Sequence, residues 1–307
     1  MLDVPPPDHH FRMPLQRLER LEAALLAQRG ERLDGARVIG DGYLSTAYLL
    51  ADDITVARVP KFDGAVPDLE FELGVLPVLE AAELPFETPR EARALRDEQG
   101  LAAALHRLVP GSSLKAHIED LRASGAWRDL AHDFGRFLGA LHSIPVERFE
   151  GLRADRWWQL ADRWVTDARP ALGERGSAWV DSRLARLDEL ARPDSVPDVF
   201  THGDFWPSNV LVDESGALTG VIDFGLAAIG DPAWDLRAFE PLLGPDFLAA
   251  VLDAYDRPLD EHAAQRAKVL LDLDELGDVS YELTVMGRRG HSFEAVQRHI
   301  AEWDGRA

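Results

Sequence analysis

A chain of 307 residues with 46% hydrophobic residues can build one large domain or two modest ones, and it is not the composition of a disordered protein. A formal net charge of −21 argues against a nucleic-acid partner, because phosphate backbones demand Lys and Arg; it leaves a cationic ligand or a plainly solvated acidic surface. With no cysteine there is no disulfide, thiolate metal site or Cys nucleophile, and with neither an apolar h-region nor a run near the ~18 residues of a membrane span, a cytoplasmic protein without a membrane partner is expected.

The first element is a helix over 13–29: "MPLQRLERLEAALLAQRG" sets Leu15, Leu18, Leu21, Leu25 and Leu26 at helical spacing before Gly30. The period then shortens. "ARVIGDGYLSTAYLL", "DDITVARVP" and "GLAAALHRLVPG" read as short strands between Gly and Asp turns. Between the second and third, "VPDLEFELGVLPVLEAAEL" is helical in pattern, with Pro77 predicting an interruption or a kink. After "VPGSSL" the chain turns helical. "WRDLAHDFGRFLGALHSIP" puts Leu130, Phe134, Phe137, Leu138 and Leu141 on one face, and further helical patterns lie near 155–168, 177–191, 244–255, 260–286 and 292–304. A single hairpin, "NVLVD" and "LTGVIDF" turning at "ESGA", interrupts this half. The layout is α+β: a β-rich N-terminal lobe over 1–108 and a helical C-terminal lobe over 109–307, joined by a short hinge near Arg107–Gly111.

Chemistry concentrates around that hairpin. HGDFWPSN (His202–Asn209) precedes it and IDFG (Ile222–Gly225) ends it. Metal-assisted phosphoryl transfer needs one carboxylate beside the attacking hydroxyl, and an amide oxygen with a second carboxylate to hold the metal. Asp204 suits the first role, Asn209 and Asp223 the second; His202 is expected to shape the loop. In "GDPAWDL", Asp231 is placed as an N-cap ahead of Pro232, and Asp235 as an acceptor for the catalytic loop. "GDGYLSTAY" is either a plain hairpin or a phosphate-covering loop in which Gly42 permits close approach and Ser45 and Thr46 offer polar groups. In "TVARVPK", Val56 and Arg58 share a strand face, with Glu72 in the next helix as a partner for Arg58; kinases normally place Lys there, and Lys61 stands three residues on. Later, Glu275, Asp278 and Glu282 share one helical face, either meeting a cation or solvated, while Asp272 lies nearer the apolar side as a buried acid. "DRWWQLADRW" reads as core or as a pocket wall.

These motifs, from "GDGYLSTAY" through "VARVP", "FELGVLPVL", "LVPGSSL", "FLGALHSIP", "HGDFWPSNVLVD" and "VIDFG" to "GDPAWDL", resemble the aminoglycoside phosphotransferase family in kind and order. The resemblance covers about Gly40 to Leu236. It implies a bilobal protein-kinase-like fold and a Mg2+-dependent kinase of the antibiotic-resistance type. ATP or GTP would be co-substrate, its base met by backbone near Ala104–Arg107. Asp204 becomes the catalytic base, Asn209 and Asp223 the metal ligands, Arg58 and Glu72 the phosphate-contacting pair. "ARVPK" departs from a Lys at that strand position and looks closer to the aminoglycoside 2″-kinase and macrolide-kinase branches. The expected acceptor is an aminoglycoside-type polycation, its amines meeting Asp272, Glu275, Asp278 and Glu282. The alternatives are a macrolide or other antibiotic kinase, an amino-alcohol or sugar kinase, and, from another class, a nucleotide-binding pseudokinase, against which Asp204, Asn209 and Asp223 together argue. Monomer and homodimer stay open.

Overall fold

The computed structural model describes residues 13–125, 127–149, 156–190 and 196–305. The N-terminal stretch in which no h-region was read lies outside them, apart from its last residues. Chain order begins α1 (Leu15–Arg29), β1 (Arg37–Asp41), β2 (Ser45–Leu49), β3 (Thr55–Pro60), α2 (Val66–Glu80), β4 (Arg93–Asp97), β5 (Gly100–Arg107), β6 (Ser112–Ser113) and α3 (Ile118–Ser124). It continues with α4 (Trp127–Leu141), α5 (Arg156–Glu189), β7 (Val199–Thr201), β8 (Val210–Val212) and β9 (Leu218–Val221). β10 (Ala228–Gly230), α6 (Phe239–Leu243), α7 (Pro245–Ala254), α8 (Ala263–Thr284) and α9 (His291–Glu302) complete it.

Two compact units form. One comprises the described residues of Met1–Leu130 with Trp206–Ala227; the other, those of Ala131–Phe205 with Ala228–Ala307. A single cut at 108/109 therefore does not describe the chain: the β8–β9 hairpin and the segment before it group with the N-terminal sheet. The reason is local. Glu87 donates its N–H to Thr219 O at 3.0 Å and accepts from Val221 N–H at 2.9 Å, and β6 pairs with β8. Gly220 makes the approach possible, since a Cβ there would lie 2.6 Å from Glu87 O and 2.4 Å from Val109 Cγ1.

In the first unit the five-stranded sheet has the order β1-β2-β3-β5-β4 and is antiparallel throughout. One face carries Tyr48, Ala57, Val59, Ala103 and Leu105 against Leu21 and Leu25 of α1. Leu101 and Ala104 pack instead with Leu69 of α2. The alternation read in β3 is thus realised, with Ala57 and Val59 toward α1 and Arg58 toward α2. Gly30, at φ 68°, closes α1 by returning its N–H to Leu26 O. Pro77 does not stop α2: it withholds one N–H from the helical ladder, and the helix still runs to Glu80. β4 was not read from the sequence: "RALRD" buries only Leu95 well, because an edge strand needs one good apolar side chain facing the core.

The second unit is built on aromatics. Leu130 heads the face of α4 that continues through Phe134, Phe137, Leu138 and Leu141, and all five are at most 2% exposed. Within this unit, Phe205 meets Phe134 edge-on at 5.2 Å and stacks on Phe137 at 5.7 Å. Each such ring contributes on the order of 1.5–3 kcal/mol by burial. Phe205 is thereby an anchor for the loop that carries Asp204. α5 is two helical stretches meeting at Gly173 (φ 75°), which accounts for the two patterns near 155–168 and 177–191. Gly277 of α8 receives the Trp164 ring, so Trp164 is a packing residue; the side chains of Trp157 and Trp158 lie outside the described set. Among the described residues no helix is long and apolar enough to cross a membrane.

Candidate active site

Arg58 organises the first unit's polar centre. Its guanidinium hydrogen-bonds Glu72 of α2 and, at 2.9 Å, Oδ1 of Asp223. Glu72 accepts a further hydrogen bond from Phe224 N–H at 3.1 Å. One buried carboxylate thus ties β3, α2 and the IDFG turn together. Burial pushes Glu72 up to about 7 against the pull of Arg58, with the Asp223 charge adding to the rise. Burial also works against the Arg58 charge, but Asp223 and Glu72 more than offset it and hold the guanidinium above its ordinary value. Of the two cations left open by the sequence, Arg58 has the Glu72 and Asp223 partners. Lys61 is buried and meets Asp41 at 2.9 Å.

The β1–β2 loop is a hairpin closed by Gly42 N–H to Ser45 O at 2.9 Å. Its hydroxyls are not turned outward as the phosphate-loop reading expected. Ser45 and Thr46 are buried; Thr46 donates to Asp41 Oδ1 at 2.6 Å, and Ser45 Oγ lies 3.4 Å from Arg58. Ala104 stands inside the ladder between Arg58 and Ala94, and Arg107 N–H donates to Arg90 O at 2.8 Å. Those two backbone positions are therefore engaged within the sheet region rather than presented to a base. His106 between them is neutral: burial lowers it to about 4, and its Nδ1 lies 2.8 Å from Arg107 O, the geometry of an N–H donor.

Asn209 and Asp223 lie at one end of the β8–β9 hairpin. Val210 pairs with Val221, and Ile222 N–H donates to Asn209 O at 2.9 Å, so the two side chains leave neighbouring strands one residue apart in register. Asp223 adopts φ 68°, a left-handed conformation uncommon for a side chain with Cβ and characteristic of functional turns. Its carboxylate is 39% exposed, whereas Asn209 is 8% exposed. Among the described residues no cluster of three or more His, Asp or Glu forms a metal cage. An amide oxygen and an open carboxylate are nonetheless hard oxygen donors of the kind Mg2+ takes when substrate phosphates and waters complete its shell.

Asp204 belongs to the second unit, on a loop held from several sides. The buried Asp235 carboxylate accepts His202 N–H at 2.7 Å and Gly203 N–H at 2.9 Å, as the sequence predicts. His202 Nδ1 accepts Asp204 N–H at 3.1 Å, which makes His202 a loop-shaping residue. Asp231 caps the following turn through Ala233 N–H at 2.9 Å and also binds Arg266 at 2.7 Å. Sequence reasoning missed His142, whose Nε2 lies 3.0 Å from Asp235 Oδ2 and whose Nδ1 lies 2.8 Å from Tyr255 OH. It also missed Arg237. A lone His closing an apolar helix and an Arg closing "GDPAWDLR" were the available signals.

The four α8 acids singled out in the sequence separate in role. Glu282 is buried and accepts N–H groups from Gly290, Ser292 and Phe293 at 2.9, 2.9 and 3.0 Å, so it caps α9 and is withdrawn from the acceptor set. Glu275 holds His299 at 2.9 Å. Asp272 pairs with Arg183 at 2.7 Å, and burial pushes it up to about 6. Asp278 reaches solvent, yet desolvation by the protein around it, then the charges of Asp274, Asp204, Glu282 and Glu275, push its carboxyl up to about 7. Asp278 thus shares an electrostatic neighbourhood with Asp204.

A family profile described as phosphotransferase enzyme family matches residues 35–269. Viomycin phosphotransferase of Streptomyces vinaceus is 29% identical over 191 residues, 58% of this chain and 64% of that protein. Homoserine kinase of Zymomonas mobilis is 26% identical over 238 residues, 76% of this chain and 70% of the relative. The chain spans between 43% and 64% of the length of the first curated relatives it matches. Among solved structures, the GDP complex of wild-type aminoglycoside 2'-phosphotransferase-IIIa superposes with TM-score 0.76 at 21% identity, covering 93% of this chain and 97% of that one. At that identity the likeness establishes the fold, a kinase-like α+β arrangement of β-sheet region and helical region.

Proposed function

Because the chain belongs to the phosphotransferase enzyme family, we propose that it moves the γ-phosphoryl group of ATP or GTP to a hydroxyl of an amine-bearing small molecule, of aminoglycoside type first. The observation that carries this reading is the Arg58–Glu72–Asp223 assembly, which joins the cation of β3, its helix partner and the IDFG carboxylate. Arg58 is the phosphate-facing cation and Glu72 fixes its position. Asn209 and Asp223 would hold Mg2+, which when bound would neutralise charge on the phosphate oxygens. Asp204 hydrogen-bonds the acceptor hydroxyl and takes its proton as the oxygen attacks the γ-phosphorus; the bond to the β–γ bridging oxygen breaks and the nucleoside diphosphate leaves. Positioning does most of the work, since the transferred group needs little covalent help.

Asp278 supports a cationic acceptor: its side chain is exposed, and the charges of four carboxylates, Asp274, Asp204, Glu282 and Glu275, act on it. The homoserine kinase relative favours a second reading in which the acceptor is a small amino alcohol, which would bring the same ammonium group.

Asp204→Asn is the test. The amide keeps size and an acceptor atom but cannot take the proton, so kcat should fall about 10²–10⁴-fold while nucleotide Kd shifts by less than about threefold. Loss of nucleotide binding with kcat retained at saturation would make Asp204 a metal ligand and overturn the assignment.

A further inference from the structure

The peptide unit joining Gly203 to Asp204 is held at both ends. Its N–H donates to His202 Nδ1 at 3.1 Å. Its carbonyl, the Gly203 oxygen, accepts two hydrogen bonds, from Trp234 Nε1 at 3.0 Å and Arg237 Nη2 at 2.9 Å. Gly203 has φ 85°, so the carbonyl is aimed by a conformation that suits glycine. Arg237 is 3% exposed and spends its other donors deliberately: Nη1 goes to Trp234 O at 2.8 Å, and Nε to Asp274 Oδ2 of α8 at 3.0 Å. Its guanidinium also lies over the Trp234 ring, 4.8 Å from the centroid. The planar fork can serve three acceptors in fixed directions, which a lysine ammonium cannot reproduce.

Asp274 is one turn before Asp278 on α8 and is the largest neighbouring charge acting on it. A single buried side chain therefore connects the helix bearing the open acid to the peptide that orients Asp204. We propose that Arg237 is a positioning residue that couples Asp274 of α8 to the Gly203–Asp204 peptide, so that acceptor recognition on α8 and placement of the Asp204 carboxylate move together. The coupling deepens the kinase reading above and rests on it for its catalytic consequence, but the mechanical link is defined by the hydrogen bonds alone.

Removing Arg237 by itself would strand the buried Asp274 carboxylate, so the informative variant replaces the pair: Arg237→Met with Asp274→Leu, which leaves no uncompensated charge. Two readouts are needed. The first is phosphate release from Mg-GTP and Mg-ATP to water, with kanamycin added as a second acceptor. Water is always present, so the measurement does not depend on knowing the natural acceptor. The folded double variant should lose about 10- to 100-fold in kcat with nucleotide KM within about threefold, the signature of misplacement rather than lost binding. Arg237→Lys should fall between it and the parent. The second readout is hydrogen exchange followed by mass spectrometry, which should show faster exchange over 202–205 and unchanged exchange in α1. Asp204→Asn is run alongside. If it loses kcat while the folded double variant keeps parental kcat, the coupling fails and the kinase reading stands. If Asp204→Asn keeps parental kcat, the base assignment fails, and the exchange data decide the coupling alone: unchanged protection over 202–205 in the double variant refutes it.

Discussion

Asp278→Asn separates the electrostatics of α8 from its packing. In the folded chain the Asp278 carboxyl stands at about 7 against an ordinary 3.8, raised by burial and by Asp274, Asp204, Glu282 and Glu275. A group that binds its proton more tightly when folded favours folding while protonated; that contribution is complete below 3.8 and is lost as pH rises through about 7. Taken whole, a change of that size corresponds to about 4 kcal/mol. The side chain is open to solvent, however, so screening cuts the usable figure to about 1 kcal/mol. The asparagine carries no titration. It should therefore match the parent near pH 4 and exceed it by about 1 kcal/mol above pH 7.5, a rise of about 2 °C in Tm for a chain of this size. Scanning calorimetry of both proteins from pH 4 to 8.5 at constant ionic strength measures the difference directly. A Tm gap that is flat with pH, or one that favours the parent at pH 8, would refute the acid-cluster reasoning.

The same variant should raise the KM for kanamycin and leave nucleotide KM unchanged, and adding salt should weaken kanamycin binding to the parent more than to the variant, as screening of charge requires. Glu282→Ala should cost about 2 kcal/mol, because it strips acceptors from three N–H groups at the start of α9, and it should leave kanamycin KM alone once the folded fraction is accounted for. Asp223→Ala should abolish Mg-dependent nucleotide turnover with the fold retained; near-parental turnover in a well-folded sample would count against the kinase assignment. Gly220→Ala should destabilise markedly, judged by the urea midpoint, since its Cβ would press on Glu87 O and Val109.

Much of this molecule was legible before any coordinates, and for local reasons. Helical and strand periods survive in the sequence because burial of one face dictates them, which is why α1, α4 and the β8–β9 hairpin fall where Leu21, Phe137 and "ESGA" place them. Asp235 under the HGDFWPSN loop and Arg58 beside Glu72 were also readable, because their register within HGDFWPSN, "TVARVPK" and "GDPAWDL" carries their geometry. What could not be read was the disposition of polar side chains whose partners are far away in the chain. Five acids on α8 look alike in sequence; only packing assigns Asp272 to Arg183, Asp274 to Arg237, Glu275 to His299 and Glu282 to the start of α9, leaving Asp278 exposed. Likewise Thr46 turns to Asp41, and Arg237 reaches from Gly203 to Asp274, across 34 residues on one side and 37 on the other. A carboxylate or guanidinium can satisfy its hydrogen bonds with many partners, so its local sequence leaves the choice open; the tertiary fold decides it by bringing one donor or acceptor within about 3 Å and excluding water from the rest.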